Sequence, residues 1–195
     1  MGGSSSGAIQ IFHSSKKGRS EMNILRRLFG GRNMDFPPMV PTASVHSSPM
    51  GIFIAAEHRD VTGWLAPGDP MALLPIDTGP SVIGAALFAA LNGWRDGLSK
   101  EQSDAQTSQA FKMMDEKDWY GVEKRWNYIF TQLKKDTGMI DITAMDRYET
   151  GGYRGSEEWS FECPFEADAL GRAVRQVLDG PPPLILPSPD EDDEA

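Results

Sequence analysis

The sequence predicts an α+β fold in which two strand groups, each closed by an amphipathic helix, share one mainly antiparallel sheet. The first observation behind this is an internal echo. Residues 78–93 (TGPSVIGAALFAALNG) are matched near the C-terminus by residues 169–180 (ALGRAVRQVLDG), with Ile83 falling on Leu170 and Gly93 on Gly180. Both segments carry apolar residues at i, i+4, i+7 and i+8 (Ile83, Leu87, Ala90, Leu91; Leu170, Val174, Val177, Leu178), the spacing of one buried helical face. Each also holds an early glycine, Gly84 or Gly171, at a cost of about 1 kcal/mol against alanine. Two helices that both accept this cost point to a backbone in close approach. Each ends in Asn-Gly or Asp-Gly, which supplies a left-handed helix end. The second observation is that runs of strand character precede each helix, so the chain reads as two halves with an internal pseudo-repeat.

Residues 1–50 are expected to lie outside the folded domain. Residues 1–21 are Gly, Ser and Lys with a short apolar island, too short for the core of a signal peptide. Met22 reads as a natural start, with translation from Met1 or Met22 left open and residues 1–21 an upstream extension. Residues 22–30 can form a turn or two of basic amphipathic helix, with Ile24, Leu25, Leu28 and Phe29 against Arg26 and Arg27. Residues 33–50, rich in Pro and Ser, are read as a linker. Order is expected from Gly51. Residues 51–58 (GIFIAAEH) and 61–65 are strands, residues 67–70 (PGDP) a turn, and residues 71–76 a strand whose proline marks a sheet edge. Thr78 or Gly79 caps the first signature helix, with Pro80 at its favoured first position.

The middle turns polar. Ser99-Lys100-Glu101-Gln102 fits a capping box, predicting a solvent-facing helix over 100–114, and Asp118 caps a short helical turn, DWYGVEKR. Residues 126–133 alternate as a strand, with a helix through 120–135 as the competing reading. A turn at 134–138 leads into a strand over 139–145 (MIDITAM). Residues 151–155 (GGYRG) are read as a flexible loop. A phosphate-cradling role is disfavoured because Glu157 and Glu158 follow where a helix start is needed. Residues 159–163 form a strand broken by Pro164, and the second signature helix runs over 166–179. The tail, residues 181–195, is proline-rich and acidic with no core of its own. The single domain therefore spans 51–180.

Composition narrows the function. The formal net charge is −9; residues 1–34 carry +5, residues 190–194 carry −5, and residues 35–189 carry −9. An acidic fold argues against nucleic-acid binding and favours a basic protein partner. No apolar run approaches the roughly 20 residues that span a membrane. Cys163 is the one cysteine, so no internal disulfide forms, and its parity with Trp159 and Phe161 reads as a buried small hydrophobe in a cytoplasmic protein. His13 and His46 lie in low-complexity sequence, leaving His58 as the histidine of the fold. No Ser-His-Asp or Cys-His arrangement, HExxH, P-loop or GxGxxG can be assembled. Asp136, Asp141 and Asp146 could offer oxygens to Mg²⁺, but at no recognised spacing. No catalytic residue, metal or cofactor is therefore assigned.

Asp118-Trp119, Ile140-Asp141-Ile142-Thr143-Ala144, Gly151-Gly152-Tyr153 and the second signature helix occur in an order that resembles the immunity proteins of bacterial contact-dependent growth inhibition systems. The resemblance covers residues 51–180. The chain departs from the family pattern at Asp141 and at Ala144, where the family tends to proline. The resemblance implies a cytoplasmic, non-catalytic protein that binds and blocks the toxic C-terminal domain of a cognate effector, commonly a nuclease. The alternative is a non-catalytic adaptor of a secretion apparatus, with the proline-rich tail as its ligand. The mixture of carboxylates and aromatics expected at an interface singles out Glu149, Tyr153, Glu157, Glu158 and Trp159, with Trp64 and Asp69 as a second patch. The competing reading is that Trp64 and Trp159 are core residues and the carboxylates plain solvated loop charges.

Overall fold

A computed structural model of the protein describes residues 40–149 and 151–186, together with all but the side chain of Glu157 in that span. The expectations for residues 1–39 and for the acidic end of the tail lie outside the described residues. In chain order the elements are β1 (Thr42–Ser48), β2 (Gly51–Asp60), β3 (Leu65–Leu74), α1 (Pro80–Asn92), β4 (Asp96–Leu98), α2 (Lys100–Met113), α3 (Trp119–Arg125), β5 (Asn127–Leu133), β6 (Met139–Tyr148), β7 (Tyr153–Pro164), α4 (Ala167–Leu178) and β8 (Ile185–Leu186). One eight-stranded sheet runs β3-β2-β1-β5-β6-β7, with β4 pairing β2 and β8 pairing β6. The long strands are antiparallel, and the two short ones are parallel to their partners.

That strand order is a duplication. Three strands, a helix and a short parallel strand occur twice, and the copies meet where β1 pairs antiparallel with β5, Val45 opposite Ile129. The irregularities repeat too: β2–β3 slips register between Ala55 and Ala56, and β6–β7 between Thr143 and Met145. The helices α2 and α3 are inserted between the copies.

The two signature helices pack on each other at their glycines. A Cβ on Gly84 would fall 1.8 Å from the carbonyl oxygen of Ala167, and one on Gly171 would fall 1.8 Å from that of Pro80. Each helix thus sits where the other's side chain would be, which is why both sequences accept the glycine. Ile83, Leu87, Leu91, Leu170 and Val174 of this pair bury against Val45, Ile54, Ile129 and Ile142 of the sheet. Cys163 lies in the same core, as its parity predicted, and burial pushes its thiol upward. On the opposite face α2 and α3 cover β2 and β3, enclosing Phe53, Ala55, Met114, Val122 and Trp126. The Ser99 capping box and the Asp118 cap both form as read.

Several expectations are corrected. Order begins before Gly51, because β1 is the fully buried central strand of the sheet. Its Thr, Ser and His look like linker, but Ala43 and Val45 alternate with them and serve one core, while Thr42 Oγ1 donates to the Glu57 carbonyl at 3.1 Å. His46 is therefore a core residue, 3% exposed. Residues 61–63 turn rather than extend, since Asp60 Oδ1 accepts from Thr62 N at 2.7 Å and Trp64 N at 3.1 Å. Residues 67–70 stay within β3 as its bulge, tolerable for proline on an edge strand. Residues 120–135 divide, helical to Arg125 and strand from Asn127. Of the glycine loop only Gly151 and Gly152 turn, at φ 96° and 90°, and Tyr153 already belongs to β7. The domain extends beyond residue 180, because β8 pairs with β6. Gly93 ends α1 right-handed, at φ −82°. Its glycine answers to space, because a Cβ there would meet Pro70 Cδ at 2.1 Å, as one on Gly180 would meet the Trp159 ring at 2.7 Å.

Candidate functional site

The second repeat ends in an open structure. Between the pairs Thr143–Ser160 and Met145–Gly155, β6 advances two residues and β7 five, so residues 156–159 bow out of the sheet. After α4 the chain turns at Gly180 and crosses back as a proline strap, residues 181–183, into β8. The strap is pinned by backbone bonds from Arg147 N to Leu184 O (2.9 Å) and Glu149 N to Leu186 O (3.0 Å). Asp146 Oδ1 accepts from Leu184 N at 2.9 Å.

Between bulge and strap lies a cleft of about 390 Å³, whose polar lining includes Asp146, Ser156, Glu158 and Asn127 and whose wall includes Trp159. Asp146 and Glu158 line it, and no Lys, Arg or His among the described residues does. A second cleft of about 200 Å³, across the strap, is lined by Trp126, Arg147, Tyr153 and Leu184 among others. Leu184 and Ile185 stand on the strap 61% and 60% exposed, a large apolar display for two adjacent residues.

Beneath the second cleft a polar layer is buried. The Tyr153 hydroxyl oxygen is buried without a hydrogen-bond partner among the described residues, and burial raises its pKa. Its ring meets Tyr128 edge-on at 5.0 Å, and Tyr128 stacks on His46 at 4.8 Å. Burial lowers His46 to about 3 and raises Glu57 to about 7, so near neutrality the first is uncharged and the second is about half protonated.

Of the sequence-predicted residues, Glu149, Tyr153, Glu158 and Trp159 are brought to this end of the molecule. Glu149 and Glu158 are exposed. Trp159 fits both readings, since it packs against the main core and lines the cleft. The Glu157 side chain lies outside the described residues. Trp64 (43% exposed) and Asp69 sit at β3, the opposite edge of the sheet, so the two patches are separate. Yet they are repeat counterparts, because Asp69 belongs to the first repeat's bulge as Ser156 belongs to the second's. Sequence reasoning weighed Asp146 only as a metal ligand and missed Leu184 and Ile185. The apolar run Leu184-Ile185-Leu186 inside the proline-rich tail is the signal that could have found them.

The considered metal ligands have structural partners: Asp141 pairs with Lys134 at 3.2 Å and Asp146 holds the strap. Among the described residues no group of three or more His, Cys, Asp or Glu is placed to hold a metal. His58 is also committed, its Nε2 donating to the Asp69 carbonyl (2.8 Å) and its Nδ1 accepting from Arg95 N (3.0 Å). No described helix is long and apolar enough to cross a membrane. Two clefts, carboxylates and exposed apolar side chains are thus gathered at this end of the molecule.

The fold is shared with a chain of a toxin–immunity complex. That chain comes from the CdiA-CT/CdiI toxin and immunity complex of Yersinia pseudotuberculosis, with a TM-score of 0.54, 14% identity, and coverage of 72% of this protein and 98% of that chain. A protein of unknown function from Neisseria meningitidis matches with a TM-score of 0.51 and 15% identity, over 73% of this protein and 96% of that chain. No family model matches the sequence, and no curated protein does. The resemblance to the contact-dependent growth inhibition immunity proteins therefore holds at the level of the fold.

Proposed function

We propose that the protein is an immunity protein: it binds the toxic C-terminal domain of a contact-dependent growth inhibition effector, a basic nuclease, and neutralises it in the cytoplasm without catalysis. The observation that carries this reading is the fold shared with a chain of a toxin–immunity complex over nearly the whole of that chain. The charge agrees, since residues 35–189 carry −9, and an acidic inhibitor steers toward a basic enzyme and offers carboxylates where the enzyme expects phosphates. The surface at the second repeat, with Glu149, Glu158, Trp159, Leu184 and Ile185, is the proposed contact, apolar at the centre and acidic around it.

The test is protection. The toxin-like C-terminal domain encoded beside this protein is induced in cells with and without the full chain, and survivors are counted. Rescue of several orders of magnitude is expected, together with co-purification of the two proteins. A demonstrably toxic neighbour, a soluble chain, no rescue and no complex would overturn the reading and favour an adaptor instead.

A further inference from the structure

The two repeats solve the same geometric problem differently. In each, a bulge on the third strand faces the segment that follows the helix, and something must bridge them. In the first repeat the bridge is His58. Its imidazole is fully buried, takes the Arg95 N–H of the post-helix segment on Nδ1, and gives its Nε2 proton to the Asp69 carbonyl of the bulge. In the second repeat Asp146 holds the matching position on β6 and accepts the matching N–H, that of Leu184. A carboxylate is shorter than an imidazole and has no ring N–H to reach across to the bulge. The strap is therefore held and no ring spans to the bulge. The cleft of about 390 Å³ lies between the two.

The cleft differs in chemistry from its counterpart, where a neutral imidazole bonds backbone groups on both sides. Trp159, Asp146 and Glu158 line the cleft, and no Lys, Arg or His among the described residues does. A planar cationic donor suits it: a guanidinium bonds carboxylates through two parallel N–H groups and stacks on an indole, which an ammonium does less well. We infer that this cleft receives an arginine side chain from the protein partner, its guanidinium seated between Asp146 and the residue 156–159 bulge and serving as the anchor of the complex. The identity of the partner rests on the immunity reading; the chemistry of the slot does not. An arginine side chain buried at an interface is also the kind of residue on which binding energy concentrates.

The experiment uses the full chain and small probes. Nα-acetyl-arginine amide, its lysine counterpart and its uncharged citrulline counterpart are titrated to millimolar concentrations and followed by backbone and indole NMR. The expected result is a set of shifts centred on Asp146, Ser156, the Trp159 indole and Leu184 with arginine. They should weaken at least about fivefold with citrulline, and about fivefold with the exposed Glu158→Gln variant. Shifts spread over the whole acidic surface, equal binding of citrulline, or equal binding of lysine would each overturn the assignment. The survival assay separates the two levels. Arginine binding without protection by the chain removes the toxin reading and leaves the slot. Protection that Glu158→Lys does not diminish, with a silent titration, removes the slot and leaves the immunity reading.

Discussion

Gly84→Ala sets helix propensity against packing. In the middle of α1, alanine is favoured over glycine by about 1 kcal/mol, so a local reading expects stabilisation. The structure expects the reverse. The added methyl falls 1.8 Å from the Ala167 carbonyl oxygen and 2.7 Å from its carbon, where ordinary contact begins at 3.4 Å. Both neighbours are backbone, so no rotamer change relieves the clash and α4 must retreat by about 1.6 Å. That retreat loosens Ile83, Leu87, Leu170 and Val174, all fully buried. Overpacking of this kind costs 1–3 kcal/mol and occasionally more, and a backbone obstacle belongs at the upper end. The expected net loss is about 3 kcal/mol, read as a drop of roughly 1–2 M in urea midpoint followed by tryptophan fluorescence. Gly171→Ala should cost about the same, since its methyl falls 1.8 Å from the Pro80 carbonyl. The double variant should lose far less than the two together, because one separation of the helices relieves both clashes. A neutral or stabilised Gly84→Ala, or strict additivity, would refute the close crossing.

Two further predictions concern stability. Glu57, buried and raised from 4.5 to about 7, keeps its proton in the fold where the unfolded chain has lost it, so its contribution falls as pH rises from about 4.5 to 7, by about 3 kcal/mol. His46, lowered from 6.5 to about 3, refuses a proton the unfolded chain accepts, so its contribution falls as pH drops from 6.5 to 3, by about 5 kcal/mol. The slopes oppose each other between about 4.5 and 6.5, and urea midpoints should be nearly level there; Glu57→Gln should restore a rise across that window and stabilise the protein at pH 8, and a flat profile in the variant would count against the buried carboxyl. Second, a chain ended at Gly180 should be about 2–3 kcal/mol less stable than one ended at Leu186, because it strips the Leu184 N–H from Asp146, which is 9% exposed; equal thermal midpoints would show that the strap is not part of the fold.

The helices were legible because their signals are local and redundant. Ser99 with Gln102, Asp118, Pro80 and the four-residue apolar spacing each announce an element by themselves. The paired glycines went further and disclosed a tertiary contact before any strand was placed. The strand β1 was hidden because its polar residues look solvated; only its place between β2 and β5 makes the sequence TASVHSS a core strand. The β3 bulge was hidden for the opposite reason, since Pro67-Gly68-Asp69-Pro70 carries strong turn chemistry that an edge strand can absorb. At the site, Glu158 and Trp159 could be guessed from their residue types. Asp146 could not, because its meaning depends on a hydrogen bond to a residue 38 positions away.

The duplication explains why the open surface sits on one repeat. A symmetric pair of repeats buries the helix-covered face of both, and the opposite face of each then needs its own cover. The first repeat receives one: α2 and α3 close over Phe53, Ala55 and Met71, and His58 seals its bulge to the following strand. The second repeat has no described equivalent; α3 reaches β6 only near its end, where Arg147 donates to the Glu123 carbonyl, and farther along the sheet Arg154, Ser160 and Glu162 are exposed. Its bulge and strap meet where the Trp159 ring packs on Gly180, and the strap is held to β6 by Asp146 and the short β8 pairing. A partner that binds there meets a surface already organised by the sheet, so little ordering opposes association. Breaking the symmetry by shortening His58 to Asp146 costs one bridge within the fold. On the proposed reading, the same position becomes a carboxylate facing an open cleft, and an unsealed end of a rigid duplicated sheet is where a basic partner would dock.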